Sequence, residues 1–353
     1  MLGRKKERVL LFFTLLIVIL QYKKKFMIEK HLILDETDPI LFYGVQNCNL
    51  RMLKSLFPKL RMVARDNVML VQGEEDTISL FEEKLNKMIK HCATFNRLSE
   101  EDILEIVNGT KTEDVSVRNG AIVFNITGKP IYPRNENQQR LADAFNTHDM
   151  IFATGPAGTG KTFLSIALAV NALKKKKIRR IILSRPAVEA GEKLGFLPGD
   201  MRDKIDPYLQ PLYDALEEML PYTKLQELID QNIIQIAPLA FMRGRTLNDA
   251  VVILDEAQNT TSSQLKMFLT RMGNNTKMII TGDCTQIDLP HSQRSGLIEA
   301  MTILRNLKDI AFIEFGKHDI VRHKLVTHIV EAYEKISTDN NFEDRDWTEK
   351  KYW

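Results

Sequence analysis

The sequence has few cysteines, little net charge and only one long apolar run. Its three cysteines, Cys48, Cys92 and Cys284, are odd in number and far apart, which matches neither a disulfide framework nor a zinc pattern and favours a reducing cytoplasm. Lys and Arg total 49 against 46 Asp and Glu, so the net charge of +3 gives no general reason to bind a polyanion. Any nucleic-acid contact must therefore come from a local patch.

The one long apolar run lies in a leader, residues 1–26, where "VLLFFTLLIVIL" stands between basic flanks. The run is shorter than the roughly 20 apolar residues that a membrane-spanning helix needs, and no small-residue cleavage site follows it. The leader is interpreted as a signal anchor, a short membrane segment, or sequence that is not translated if synthesis starts at Met27. Because every later motif is typical of a soluble protein, we expect a cytoplasmic protein without membrane attachment.

The remainder, 44% hydrophobic and 27% charged over the whole chain, has the composition of about two ordinary domains. Helix, hairpin, helix patterning predicts a small α+β module with a KH-like order of elements, and Pro130 and Pro133 limit helix in the stretch that follows it. The predicted boundaries are 40–115 for the module, 116–134 for an extended connector, 135–336 for a larger domain of alternating strands and helices and 337–353 for a polar tail.

Five runs of apolar and β-branched residues predict the strands of the larger domain: "MIFAT", "RIILS", "VVILDE", "KMIITGD" and "IAFIEF". Alternating with helical patterns, they indicate a parallel sheet with helices on both faces. A polar helical insertion is predicted between 201 and 232, where Pro207, Pro211 and Pro221 are expected to break the helix.

The stretch "ATGPAGTGKT", residues 153–162, fills every fixed position of the GxxxxGK[ST] phosphate loop, in the strand-to-helix setting that the loop requires. Its glycines let backbone N–H groups turn toward phosphate oxygens, and the helix N-terminus adds partial positive charge. Lys161 is predicted to reach the β and γ oxygens and Thr162 to ligate Mg²⁺. The predicted nucleotide-binding residues are Gly155, Pro156, Ala157, Gly158, Thr159, Gly160, Lys161 and Thr162.

The run "VVILDEAQ" is an apolar strand that ends in two carboxylates. Asp255 is placed to hold the Mg²⁺ shell, while Glu256 can orient and deprotonate the attacking water. Because "RIILS" lies between the loop and this strand along the chain, we expect the sheet to insert a strand between them, the arrangement of hydrolysing motors.

Two glutamines are weaker candidates. In "TGDCTQ", Gln286 can hydrogen-bond the γ-phosphate or its water, although the stretch is also compatible with a polar turn. In "NENQQRLADAF", the amide of Gln138 precedes the loop strand and can read the adenine edge by donating and accepting. Glutamine is common at the start of a helix, so the prediction for Gln138 depends on the phosphate loop and on the strand that ends in two carboxylates.

In order, "NQQRLADAF", "GPAGTGKT", "SRPAVEAGEKLGFLPGDMRDKIDPYLQPLYDAL", "RGRTL", "VILDEAQNTT", "TGDCTQIDLP", "SGL" and "DIVRH" resemble the PhoH-like protein family. The resemblance covers about residues 40 to 335 and implies a cytoplasmic ATP-binding protein whose core is similar to one motor domain of superfamily-one helicases. It further implies ATP and Mg²⁺ as ligands, and a link with phosphate starvation and RNA metabolism. Some members of the family also carry a ribonuclease domain. The cluster of acidic residues that is typical of such a domain does not precede the ATP-binding motifs here.

The family's helicase relatives complete their ATP site with an arginine from a second motor half, which does not follow here. Either hydrolysis is slow or a neighbouring subunit donates the arginine, for which a head-to-tail ring is the simplest geometry. The candidate arginine fingers are Arg322 and Arg245, with Arg243 and Arg271 as further basic candidates.

A single nucleic-acid strand crossing the sheet edge would meet two loops of the larger domain. The candidate phosphate contacts are Arg185, Lys193, Arg243 and Arg245, and the candidate stacking residues are Phe196 and Phe241. The alternative is core aromatics beside solvated charges.

The leading hypothesis is an ATPase that remodels single-stranded RNA or ribonucleoprotein. The alternative is an ATP-gated protein that regulates a partner such as a ribosome-maturation nuclease. A phosphotransferase ranks last, because no acceptor pocket can be recognised.

Overall fold

The computed structural model describes residues 27–34, 37–109, 120–186, 201–290, 292–321, 325–326 and 328–329, with the side chains of the helix that begins at Met201 described from 208 onward. The leader, the polar tail, Arg322, Lys193 and Phe196 lie outside these residues. Contacts group the described residues into two compact units: unit 1 holds those within 27–132, 170–177 and 213–234, and unit 2 holds those within 133–169, 178–212 and 235–329.

Unit 1 contains a three-stranded antiparallel sheet in the order β1-β3-β2. Its strands are β1 (Met27–Ile33), β2 (Arg61–Arg65) and β3 (Val68–Glu74), and its first helices are α1 (Pro39–Tyr43), α2 (Cys48–Leu56), α3 (Glu75–Phe95) and α4 (Glu100–Asn108). The predicted hairpin and its two flanking helices are confirmed. The sequence reading missed β1, in which Leu32 is the only fully buried side chain, so its apolar signal is weak.

The long helix α3 packs against the rest of unit 1 through one apolar face. Its buried residues, Ile78, Phe81, Leu85, Met88 and Cys92, recur every three or four positions and therefore line one face. Asn96 ends the helix in the left-handed conformation with φ 51°, a backbone region that asparagine tolerates better than most residues. The stretch predicted as an extended connector holds a short hairpin of β4 (Val123–Phe124) and β5 (Pro130–Ile131).

Unit 2 contains a six-stranded sheet in the order β11-β6-β10-β9-β7-β8. Its strands are β6 (Met150–Thr154), β7 (Arg180–Arg185), β8 (Ile234–Pro238, whose first residue is grouped with unit 1), β9 (Ala250–Leu254), β10 (Lys277–Gly282) and β11 (Ile310–Glu314). The pairs β11/β6, β6/β10, β10/β9 and β9/β7 are parallel. All five predicted strands are confirmed, and the sheet is that of a RecA-like P-loop core.

The expected strand insertion is present, and the inserted strand is β10 rather than the "RIILS" strand β7, which lies on the far side of β9. The strand β8 was not predicted. It is only partly buried beyond Ile234 and carries Gln235 and Pro238, so it lacks the continuous apolar character of the other strands.

The remaining helices are α5 (Glu136–Thr147), α6 (Lys161–Lys174), α7 (Met201–Glu217), α8 (Tyr222–Asp230), α9 (Ser262–Leu269) and α10 (Gly296–Leu304). The expectation that Pro207 and Pro211 break the insertion was wrong, because α7 runs through both, and only Pro221 marks a boundary. Each internal proline removes one helical hydrogen bond, and burial of Leu209, Leu212 and Leu216 offsets that loss. Within the described residues, none of the helices combines the length and apolarity needed to cross a bilayer.

Candidate nucleotide site

Three adjacent parallel strands of unit 2 deliver the candidate site residues to one edge of the sheet. In the register of β10, Gly282 lies beside Thr154 of β6 and Ile280 beside Leu254 of β9. The residues that follow each strand therefore meet at the carboxyl edge, where open α/β sheets bind ligands. This convergence brings the phosphate loop, "DEAQ" and "GDCTQ" together.

The phosphate loop needs glycine at defined positions. Gly155 has φ 143°, and a Cβ there would lie 2.3 Å from the carbonyl oxygen of Phe315. Gly160 has φ 81°, and a Cβ there would lie 2.9 Å from Nε2 of Gln138. Both the backbone conformation and the close approach exclude larger residues. Helix α6 starts at Lys161, so its N-terminal N–H groups and positive dipole end face the loop, as anion binding requires.

Lys161 is buried behind this loop. Its Nζ donates to the carbonyl oxygens of Gly155 at 2.7 Å and Pro156 at 2.8 Å. Burial lowers the pKa of Lys161 below its ordinary value, and the nearby carboxylates of Asp283, Asp255 and Glu256 oppose that shift. The ammonium is thus held at the loop by neighbouring negative charge.

Asp255 is the acceptor of two threonine hydroxyls. Its Oδ1 accepts from Thr162 Oγ1 at 2.6 Å and from Thr281 Oγ1 at 2.8 Å. Mg²⁺ sites of this type use one or two protein oxygens together with phosphate oxygens, so a carboxylate and a hydroxyl beside a phosphate loop fit that cation. Asp255 is 5% exposed, so its charge lies in a weakly screened environment.

Glu256 follows in the left-handed backbone conformation with φ 53°. Such a conformation is uncommon for glutamate and is concentrated at functional sites. Its Oε1 lies 3.2 Å from Arg185 NH2, and its Oε2 accepts from Gln258 Nε2 at 2.6 Å. The carboxylate is oriented by two donors and remains partly accessible.

The sequence reading missed the roles of Asp283 and Gln258. Asp283 Oδ2 accepts from the loop amide of Ala157 at 3.0 Å, while Oδ1 accepts from the amide and the hydroxyl of Thr285 at 2.9 and 2.6 Å. Gln258 is 1% exposed and contacts both Glu256 and Asp283. The signal that could have found them is their position in the same two strand-end motifs.

The two predicted glutamines lie differently. Gln286 is exposed, and its main-chain carbonyl oxygen accepts from Gln258 Nε2 at 3.1 Å. Gln138 is buried: its Nε2 donates to Thr159 O at 2.9 Å and its Oε1 accepts from the amide of Arg134 at 2.7 Å. Both ends of the Gln138 amide therefore bind backbone around the phosphate loop, and adenine reading by this residue stays a prediction.

The candidate arginines also differ from one another in their surroundings. The guanidinium of Arg245 donates to Gln235 Oε1 and Met242 Sδ, and that of Arg271 donates to the carbonyl oxygens of Met267 and Arg245. Arg243 is exposed. Arg185, expected to contact nucleic acid, donates to Glu256 and to the carbonyl oxygen of Tyr208.

The strand order, the glycine loop, the buried lysine and the Asp255 hydroxyl cluster define a P-loop nucleotide-binding protein with a RecA-like core. The family model described as PhoH-like protein matches residues 130–334. A PhoH-like protein of Bacillus subtilis (strain 168) is 44% identical over 302 residues, which cover 84% of this chain and 94% of that protein. One of Mycobacterium tuberculosis (strain ATCC 25618 / H37Rv) is 48% identical over 272 residues, with 76% and 77% covered. The chain belongs to the PhoH-like protein family.

Among solved structures, the chain is similar to a Sulfolobus solfataricus SWI2/SNF2 ATPase core in complex with dsDNA, with a TM-score of 0.33 and 12% identity over 58% of this chain and 53% of that one. It is also similar to the Pif1 helicase from Candida albicans, with a TM-score of 0.33 and 14% identity over 58% and 44%.

Proposed function

We propose that this protein is a Mg²⁺-dependent ATPase that couples hydrolysis to the remodelling of single-stranded RNA or ribonucleoprotein in the cytoplasm. The observation that carries the proposal is the convergence of Lys161, the Thr162–Asp255 pair and Glu256 on one sheet edge. P-loop hydrolases need these three parts: a lysine for phosphate, an oxygen pair for the cation and a carboxylate for water.

Each part has one role in the proposal. Backbone amides of the loop and the ammonium of Lys161 bind the β- and γ-phosphates, and Thr162 and Asp255 hold the cation. When bound, Mg²⁺ neutralises charge that develops on the phosphate oxygens. Glu256 orients the attacking water and accepts its proton, while Arg185 and Gln258 hold that carboxylate in place.

The test is ATP turnover by the purified full-length chain with and without single-stranded RNA. We expect Lys161→Ala to abolish nucleotide binding and Glu256→Gln to retain binding while turnover falls by at least about 100-fold. Lys175→Ala and Glu299→Gln change exposed residues of the same types and should behave as the wild type. Wild-type turnover that is unaffected by Glu256→Gln would refute the proposed mechanism.

The RNA part of the proposal is supported by one exposed pair. Phe241 is 59% exposed, and Arg243 is exposed two residues later, after the turn that follows β8. An exposed aromatic ring beside a guanidinium can stack a base and bind a phosphate. Phe241→Ala should reduce RNA affinity by about 10-fold, whereas Tyr222→Ala, which removes an equally exposed ring on α8, should not.

A second candidate function is an ATP-gated interaction protein that regulates a partner such as a ribosome-maturation nuclease. This function is favoured by the hydrogen bonds of two arginines, because Arg245 and Arg271 donate to groups of their own chain. Hydrolysis would then be slow unless a neighbouring subunit in a ring supplies Arg243, Arg322 or a released Arg245. ATP-dependent partner capture with negligible turnover would support this second function. A particle mass that increases when nucleotide binds, together with ATP turnover that rises in proportion to the fraction of assembled ring, would support the ATPase ring.

A further inference from the structure

A buried amide connects the proposed water-activating carboxylate to an exposed segment of the chain. Gln258 Nε2 donates to Glu256 Oε2 at 2.6 Å and to the carbonyl oxygen of Gln286 at 3.1 Å, and its Oε1 accepts from the amide of Asp283 at 2.9 Å. The orientation of the amide is fixed, because Glu256 and Gln286 offer only acceptors and Asp283 offers an N–H. Both N–H groups of the side chain are therefore used.

The segment 283–288 is attached to the site at three points in addition to Gln258. Asp283 accepts from Ala157 in the phosphate loop. Asn259 donates to Asp288 Oδ2 at 3.2 Å and accepts from the Asp288 amide at 2.8 Å. Gly282 permits this arrangement, since a Cβ there would lie 2.9 Å from Gln258 Oε1. Residues 285–288 of this segment are nevertheless exposed to solvent.

We propose that Gln258 is a positioning residue that makes the rate of hydrolysis depend on the position of segment 283–288. The same amide cannot keep both of its N–H contacts if the segment moves away from Glu256. A buried amide that loses acceptors costs free energy, so segment and carboxylate tend to move together. The inference deepens the proposed function and rests on Glu256 acting on water.

The substitution Gln258→Glu tests this coupling with almost no change of shape. It keeps the oxygen that accepts from Asp283 but replaces both donors by an acceptor, which repels Glu256 and the Gln286 carbonyl oxygen. We expect kcat to fall by about 30-fold or more while the Kd for Mg·ATP changes less than about threefold, because the phosphate-binding groups remain. Gln264→Glu is the matched control: Gln264 caps α9 by accepting from Thr261 and touches no site residue.

A second readout does not depend on turnover. Amide hydrogen exchange of residues 284–288, measured without nucleotide, should become at least about 10-fold faster in Gln258→Glu and stay unchanged in Gln264→Glu. Asn259→Ala should accelerate exchange in the same residues and reduce kcat, because it removes the side chain that binds Asp288 while keeping the backbone N–H that donates to Glu256 O at 3.0 Å.

The outcomes separate this inference from the proposed ATPase. Loss of Mg·ATP binding in Gln258→Glu would mean a structural role and overturn the inference, as would unchanged kcat with unchanged exchange. If the wild type binds Mg·ATP but never hydrolyses it, the proposed ATPase fails. Exchange then decides whether Gln258 couples the segment to the site: acceleration confined to 284–288 supports the coupling, and its absence overturns it.

Discussion

Two lysines, the buried Lys161 and the partly buried Lys174, stand at the two ends of α6 and have different surroundings. Lys161 begins the helix in unit 2, near the carboxylates of Asp283, Asp255 and Glu256, which oppose the effect of burial on its pKa. Lys174 ends the helix in unit 1, where burial lowers its pKa to about 8 and only a smaller electrostatic contribution from Cys92 opposes the shift. Its Nζ donates to Ala93 O at 3.1 Å and Asn96 Oδ1 at 2.8 Å.

The difference shows that burial alone does not identify a functional lysine. Both ammonium groups have backbone or amide acceptors, but only Lys161 lies beside a glycine loop and carboxylates that belong to other strand ends. Perturbed groups with specific charge partners in a ligand-binding setting are candidates for function, whereas Lys174 caps the last turn of α3 as a structural group. The comparison predicts opposite consequences for substitution at the two positions.

The largest effect is expected for Lys161→Met. Turnover of ATP should fall by about 1,000-fold, equivalent to about 4 kcal/mol, because the variant lacks the ammonium that lies at the loop. Stability should change little, since removing a buried charge also removes its desolvation cost. Steady-state hydrolysis and thermal unfolding together check this, with Lys175→Met as the control. Full activity in Lys161→Met would remove the basis of the comparison.

The next effect concerns the pH dependence of stability through Lys174. Because its folded-state pKa, about 8, lies below the ordinary 10.5, the unfolded state binds more protons between these values, and stability rises with pH across that window. The gain is lost as pH falls from 10.5 to about 8, and below this window Lys174 is protonated in both states and adds no further pH dependence. The free energy of unfolding of the wild type, minus that of Lys174→Met, should therefore rise by about 2 to 3 kcal/mol from pH 8 to 10.

Denaturant unfolding at each pH measures this difference, and the subtraction cancels other groups that titrate alike in both proteins. Nucleotide affinity at pH 7.5 should be unchanged in Lys174→Met. A flat difference between pH 8 and 10 would show that Lys174 remains charged in the folded protein.

A smaller effect is expected at Asn96, the partner of Lys174. Its Nδ2 donates to the carbonyl oxygens of Phe124, Asn125 and Met219, and its backbone has φ 51°. Asn96→Ala should cost about 2 kcal/mol from the lost hydrogen bonds and the strained backbone. Asn96→Gly loses the same contacts but favours positive φ, so it should cost less; chemical unfolding of both variants measures the two contributions separately.

The sequence was sufficient for the loop and the main strands but insufficient for the contacts between them. The fixed spacing from Gly155 to Thr162 and the continuous apolar strands are local signals, and the structure confirms the sheet they predict. The contact between Gln258 and Asp283 could not be predicted, because it depends on β10 lying beside β9, which local patterning does not specify. Likewise, nothing in the sequence shows that both the oxygen and the nitrogen of the Gln138 side-chain amide are hydrogen-bonded to main-chain groups.

An exposed lysine gives the smallest expected effect and completes the comparison. Lys87 donates to Glu83 at 2.8 Å one helical turn away on α3, and this contact lowers the pKa of Glu83. Because solvent and salt screen the pair, Lys87→Met should shift the Tm by less than about 1 °C. Thermal unfolding at low and high salt checks this. A shift as large as that of Lys174→Met would mean that charge pairing, rather than burial, sets how much a lysine of this protein contributes to stability.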